Sequence, residues 1–123
     1  MVAAISGSTF DCADPASLSE FWARLLGYEV AESSSDGALI VAESGTGFWI
    51  WFQKVPEGKS AKNRFHLDLR ADDLEKEVAR AESLGATTIA RHEHDAWTWR
   101  VMQDPEGNEF CLGTAPPLGV WDA

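Results

Sequence analysis

The 123-residue sequence predicts an α+β fold made of one βαβββ unit used twice. Three observations predict it. The order strand, helix, three strands occurs once before residue 55, then again after a polar connector. Both helical stretches are bracketed by the same chemistry, Asp14-Pro15 to Gly27 in the first and Asp72-Asp73 to Gly85 in the second. The last strand is announced by Asp104-Pro105-Glu106-Gly107, where Pro fixes φ, Asp bonds back to the backbone and Gly accepts positive φ.

The first strand is Gly7 to Cys12. Asp14 caps a helix with Pro15 at its first position, and Leu18, Phe21, Trp22, Leu25 and Leu26 recur at helical spacing, which assigns Phe21 and Trp22 to the core. Gly27 ends this helix. Strands follow at Tyr28–Glu32, Ala38–Glu43 and Phe48–Gln53, separated by turn-rich Ser33–Gly37 and Ser44–Gly47.

The connector Pro56–Asn63 is polar. Beyond it, Arg64–Arg70 reads as a strand, and Asp72 or Asp73 caps a helix running to Leu84, with Leu74, Val78, Ala81 and Leu84 inward. The remaining strands are Ala86–Arg91, Ala96–Met102 and Asn108–Gly113. His92, Glu93, His94 and Asp95 form a polar turn before the second of these. The tail Thr114–Ala123, with Trp121, is expected to be a packed extension.

Composition bounds function. A formal charge of −10, from 20 acidic against 10 basic residues, disfavours nucleic acid, whose binding needs clustered Lys and Arg, and also disfavours an anionic membrane surface. A neutral or cationic ligand fits better. The two cysteines, Cys12 and Cys111, form no CxxC pair, which excludes a zinc ribbon or thioredoxin-like motif. No basic leader and no apolar run of membrane-spanning length is present, so a cytoplasmic protein with reduced thiols is expected.

Four segments carry a resemblance to a known superfamily: Asp11-Cys12-Ala13-Asp14-Pro15 leading to Phe21-Trp22 and Leu25-Leu26-Gly27-Tyr28; Arg64-Phe65-His66-Leu67-Asp68-Leu69 before Asp72-Asp73-Leu74; Leu84-Gly85-Ala86; and Asp104-Pro105-Glu106-Gly107-Asn108. On these the chain resembles the vicinal oxygen chelate superfamily, which includes glyoxalase I, extradiol dioxygenases, fosfomycin-resistance enzymes and bleomycin-resistance proteins. Within it, the small bacterial glyoxalase-like domain proteins are most similar. The resemblance implies one domain over residues 1–123: module one at 5–55, module two at 63–115 and a tail at 116–123. It also implies sheets curled into a cup with helices outside, and a homodimer.

The metal-dependent relatives place one ligand on the first and one on the fourth strand of each module. By motif these positions fall on Gly7 and Trp51, then on His66 and Cys111. Glycine and tryptophan supply no side-chain donor, and a catalytic metal needs about three protein ligands. Asp68, Glu109 and Asp11 lie nearby but off the pattern. The expectation is therefore no metal and no cofactor.

Strand parity then assigns what lines the cup. Phe10 and Cys12 face the helix, so Thr9 and Asp11 face the cup, and a Cys12–Cys111 disulfide is not expected. Phe65, Leu67 and Leu69 face the second helix, leaving His66, Asp68 and Arg70 on the cup side. Counting back from Asp104 as in superfamily relatives implies that Trp97, Trp99 and Val101 are inward, and counting from Cys111 to Trp51 implies the same of Trp49 and Trp51; Glu109 and Cys111 share one face of the last strand. Tryptophans beside a histidine, an arginine and carboxylates describe a pocket for a flat or bulky organic molecule, aromatic or cationic in character.

Two functions follow. One is a small-molecule-binding protein of bleomycin-resistance type, with Trp49, Trp51, Asp68, Arg70, Trp97, Trp99 and Cys111 as ligand-binding residues. The other is a metal-independent lyase or isomerase in which His66 or Glu109 is the catalytic general acid/base and Arg70 stabilises an oxyanion. Cys111 as nucleophile is weaker, because a thiolate beside Glu109 is electrostatically disfavoured. Metal-dependent glyoxalase I activity ranks third.

Overall fold

The computed structural model describes residues 2, 3, 5–44, 47–94 and 97–114, with His94 and Trp97 described by backbone alone. Asp95, the side chain of Trp97 and the tail with Trp121 therefore lie outside the described residues. The chain divides into two compact units, Met1–Lys59 and Ser60–Ala123. Each is a βαβββ module.

Module one runs β1 (Gly7–Cys12), α1 (Pro15–Leu26), β2 (Tyr28–Ser33), β3 (Gly37–Ala42) and β4 (Trp49–Lys54). Its sheet order is β1-β4-β3-β2, with β1 parallel to β4 and the other pairs antiparallel. The Asp14 carboxylate accepts the Ser17 N–H at 3.1 Å, Pro15 opens the helix, and Gly27 closes it at φ 70°, a left-handed conformation that suits glycine. Leu18, Phe21, Trp22 and Leu25 form the buried face of α1. Trp22 is fully enclosed, with Phe10 and Phe21 set edge-on to it at ring separations of 5.3 and 5.5 Å. Ile40, Ile50 and Phe52 complete this core from the sheet. Each such side chain contributes about 1.5–3 kcal/mol by leaving water.

Module two runs β5 (Leu67–Arg70), α2 (Leu74–Leu84), β6 (Thr87–His94), β7 (Trp97–Gln103) and β8 (Glu109–Gly113). The sheet order β5-β8-β7-β6 repeats that of module one, again with first and fourth strands parallel. Asp73, not Asp72, caps α2 by accepting the Lys76 N–H at 3.2 Å. Leu74, Val78 and Ala81 on α2 are buried, as are Met102, Phe110 and Leu112 on the sheet. Arg100 shares this helix-facing side of β7 and is only 5% exposed.

Two elements depart from the sequence reading. The strand expected at Arg64–Arg70 begins only at Leu67, and Phe65, expected against the helix, is 73% exposed. β5 has a single partner, β8, and their register opens at Leu67↔Phe110. Upstream of β8 the chain is in the Asp104–Asn108 turn, so residues 64 and 65 have no strand beside them. The polar turn expected at His92–Asp95 is also corrected: His92, Glu93 and His94 extend β6, where His92 pairs with Trp99. Backbone pairing with a long β7 outweighs the turn propensity of a charged run.

Candidate functional site

In module one, the sheet face opposite α1 is built around two glycines. The register pairs Gly7 with Trp49 and Thr9 with Trp51, so both indoles share the side of Thr9 and Asp11, as parity predicts. A Cβ on Gly7 would meet the Trp49 ring at 2.2 Å, and one on Gly37 would meet the Trp51 ring at the same distance. Each indole thus lies over bare backbone. The Trp49 N–H donates to Ser6 Oγ at 2.7 Å and the Trp51 N–H to Gln53 Oε1 at 3.1 Å. With their polar edges satisfied inside the module, the half-buried rings have only π-surface left to offer.

In module two, β5 and β8 bring three reactive groups together. Asp68 lies beside Cys111 in the register, and His66 precedes Asp68 by two residues. The His66 Nδ1 is 3.1 Å from an Asp68 carboxylate oxygen. One donor atom from each of His66, Asp68 and Cys111 lies within 4.8 Å of the others. Burial first, then the charge of Asp68 and a hydrogen bond to it, push the Cys111 thiol up to about 11. The thiol therefore keeps its proton near neutrality, which argues against a nucleophilic Cys111.

The other candidates are placed differently. Glu109 accepts from Lys62 Nζ at 2.8 Å and from the Asn63 N–H at 2.9 Å, while Asn63 Oδ1 accepts the Glu109 N–H at 3.1 Å. This carboxylate fastens the connector to the start of β8. Arg70 sits 3.7 Å from Asp72 rather than beside Asp68 or Glu109. Trp99 faces away from α2 and stacks with His92 at 5.2 Å between ring centres and 24° between planes. The His92 contact escaped sequence reasoning because the residue was assigned to a turn. The alternation continuing backward from Trp99 across the hairpin is the signal that would have found it.

The four metal positions implied by the superfamily resemblance do not form a ligand set. Gly7 and Trp51 offer no donor, and the Trp51 ring is already laid across Gly37. His66 and Cys111 offer two, and the structure adds Asp68 as a third. Both cysteines are thiols, with Cys12 buried in module one as parity predicts.

The glyoxalase-like domain model matches residues 8–113, reaching into both modules. The chain belongs to the glyoxalase-like domain family. Solved structures show the same fold. One is a glyoxalase/bleomycin resistance protein/dioxygenase family enzyme from Burkholderia phytofirmans, at TM-score 0.74 and 23% identity, covering 92% of this chain and 100% of that one. A second is the fosfomycin resistance protein FosX of Listeria monocytogenes as an E126Q mutant complexed with Mn(II) and 1S,2S-dihydroxypropylphosphonic acid. It gives TM-score 0.78 at 16% identity, covering 95% of this chain and 94% of that one. A third, the oxidase ChaP-H2, gives TM-score 0.70 at 16% identity, covering 94% and 96%. No curated protein matches the sequence. Among the described residues no helix is long and apolar enough to cross a membrane.

Proposed function

We propose that this glyoxalase-like protein binds a flat organic molecule against its indoles, and that its acidic charge favours a cationic one. The observation that carries this is the pair of tryptophans laid over Gly7 and Gly37. A tryptophan that merely fills a core does not need a neighbouring strand to give up its side chain. Here two do, and both indole N–H groups are tied down locally. Such surfaces stack planar rings and attract cations. Trp99 with His92 extends the same reading to module two, where Asp68 and Arg70 supply polar contacts. Cytoplasmic placement rests on the thiols and a homodimer on the family resemblance.

Tryptophan fluorescence titrated with a planar aromatic cation of the acridine type, against an aromatic sulfonate of equal size, tests this. Saturable quenching by the cation, weakened in both Trp49→Ala and Trp51→Ala, is the expected result. Quenching that neither substitution alters would overturn the assignment.

A lyase or isomerase is the second reading, and the His66–Asp68 pair is what supports it. A carboxylate at 3.1 Å fixes the imidazole's tautomer and orientation, as general acid/base work requires. Glu109, held by Lys62 and Asn63, is the poorer candidate for that role. In this reading His66→Ala abolishes turnover and leaves cation quenching intact.

A further inference from the structure

We infer that His66, Asp68 and Cys111 form a thiolate-containing divalent metal site, of zinc type, contained wholly within module two. This goes beyond ligand binding at the indoles and revises the expectation of no metal. That expectation rested on Gly7 and Trp51, which indeed contribute nothing. It left Asp68 aside because Asp68 falls off the superfamily's spacing. The fold brings it in.

Asp68 and Cys111 are register partners on adjacent parallel strands, and His66 lies two residues before Asp68. Their donor atoms lie within 4.8 Å of one another, and His66 and Asp68 are already at 3.1 Å. Tetrahedral zinc with nitrogen, oxygen and sulfur ligands sets donor–donor edges of about 3.2–3.8 Å. Closing the set therefore needs rotamer adjustments of about an ångström, within reach of side chains at the edge strand β5. Among the described residues this is the one place where three such donors meet.

The chemistry selects the metal. Imidazole, carboxylate and thiolate together suit zinc, and the soft sulfur disfavours manganese and magnesium. Three protein donors are the number that catalytic zinc sites use. The chain's charge of −10 raises the local concentration of any cation. Binding replaces the S–H bond of Cys111 by an S–metal bond and releases that proton to solvent, while His66 binds neutral and Asp68 as the carboxylate.

Chelator-stripped full-length protein titrated with Co(II) tests the inference by absorption. The expected result is a near-ultraviolet thiolate-to-cobalt charge-transfer band that saturates at one equivalent and is discharged by zinc, but not by equimolar Mn(II). The band survives Cys12→Ser and is lost in Cys111→Ser. Asp68→Asn, which keeps the shape of the side chain, weakens affinity at least about tenfold. Far-ultraviolet circular dichroism of each variant separates a lost ligand from a lost fold. No saturable uptake at micromolar Co(II), or a band that persists in Cys111→Ser, overturns the site. Cation quenching at Trp49 and Trp51 is read on the same stripped protein, so failure of one reading is distinguishable from failure of the other.

Discussion

The Trp51 indole rests on Gly37, with its ring 2.2 Å from where a Cβ would stand. The β3–β4 register sets Gly37 against Gln53, so Trp51 leans along the strand over its neighbour's partner, and its N–H reaches Gln53 at 3.1 Å. Gly37→Ala forces the ring away or the strands apart. Overpacking of this kind costs about 1–3 kcal/mol, to be read as a lower urea midpoint with a shifted tryptophan emission. Gly7→Ala should act in the same way on Trp49. If both variants keep wild-type emission and stability, the rings do not lie where they are described.

Asp104 is 3% exposed, and its carboxylate accepts the N–H groups of Glu106 and Asn108, both at 2.9 Å, and the Asn108 side-chain amide. It writes the turn that aims β8. Asp104→Ala leaves two backbone donors without their acceptor and should cost about 2–4 kcal/mol by chemical denaturation. Asp104→Asn retains one acceptor oxygen and should lose less. Because β8 carries Cys111, the alanine variant should also weaken Co(II) uptake.

Much of this fold was legible because its signals are local. The Asp14 and Asp73 caps, the Gly27 stop, the α1 stripe and the Asp104 turn are each decided within a few residues by backbone chemistry. The errors came where partners are distant. Whether Phe65 lies in a strand depends on how far β8 extends, some 45 residues later, and His92 entered β6 because β7 was there to pair with it. Facing is legible within a strand, where alternation sets Trp49 and Trp51 on the side of Thr9 and Asp11. Distant partners are not, because connector residues such as Lys62 and Asn63 show no periodicity that links them to Glu109.

In metal-free protein burial first, and then Asp68, pushes the Cys111 thiol up to about 11. Iodoacetamide alkylation followed against pH in chelator, in a Cys12→Ser background, should reach half its maximal rate near that value. Asp68→Asn removes the charge that opposes the thiolate and should move the midpoint down. The linkage has a definite sign. An unfolded thiol ionises near 8.5, so the native state's preference for the protonated form stabilises below that pH and is lost as pH rises through about 11. A midpoint at the ordinary thiol value would show that Cys111 is not enclosed with Asp68.

Arg100 is a charge placed in a core. It lies on the helix-facing side of β7, 5% exposed, with Nη2 bound to the exposed Glu75 and Nη1 without a hydrogen-bond partner among the described residues. Sequence parity implies this placement, since Arg100 alternates with Trp99 and Val101. A buried guanidinium with one unsatisfied N–H loses much of its solvation, and a single exposed carboxylate returns only part of it. Two substitutions should therefore move stability in opposite directions. Arg100→Met fills a similar volume without the charge and should leave the urea midpoint unchanged or raise it, by up to about 2 kcal/mol. Glu75→Ala strands the charge and should lower stability by about 1–3 kcal/mol. The double variant should resemble Arg100→Met, because the carboxylate matters only while the guanidinium is there to need it. If Arg100→Met is instead the more damaging change, the ion pair contributes net stability and module two depends on it to seat α2.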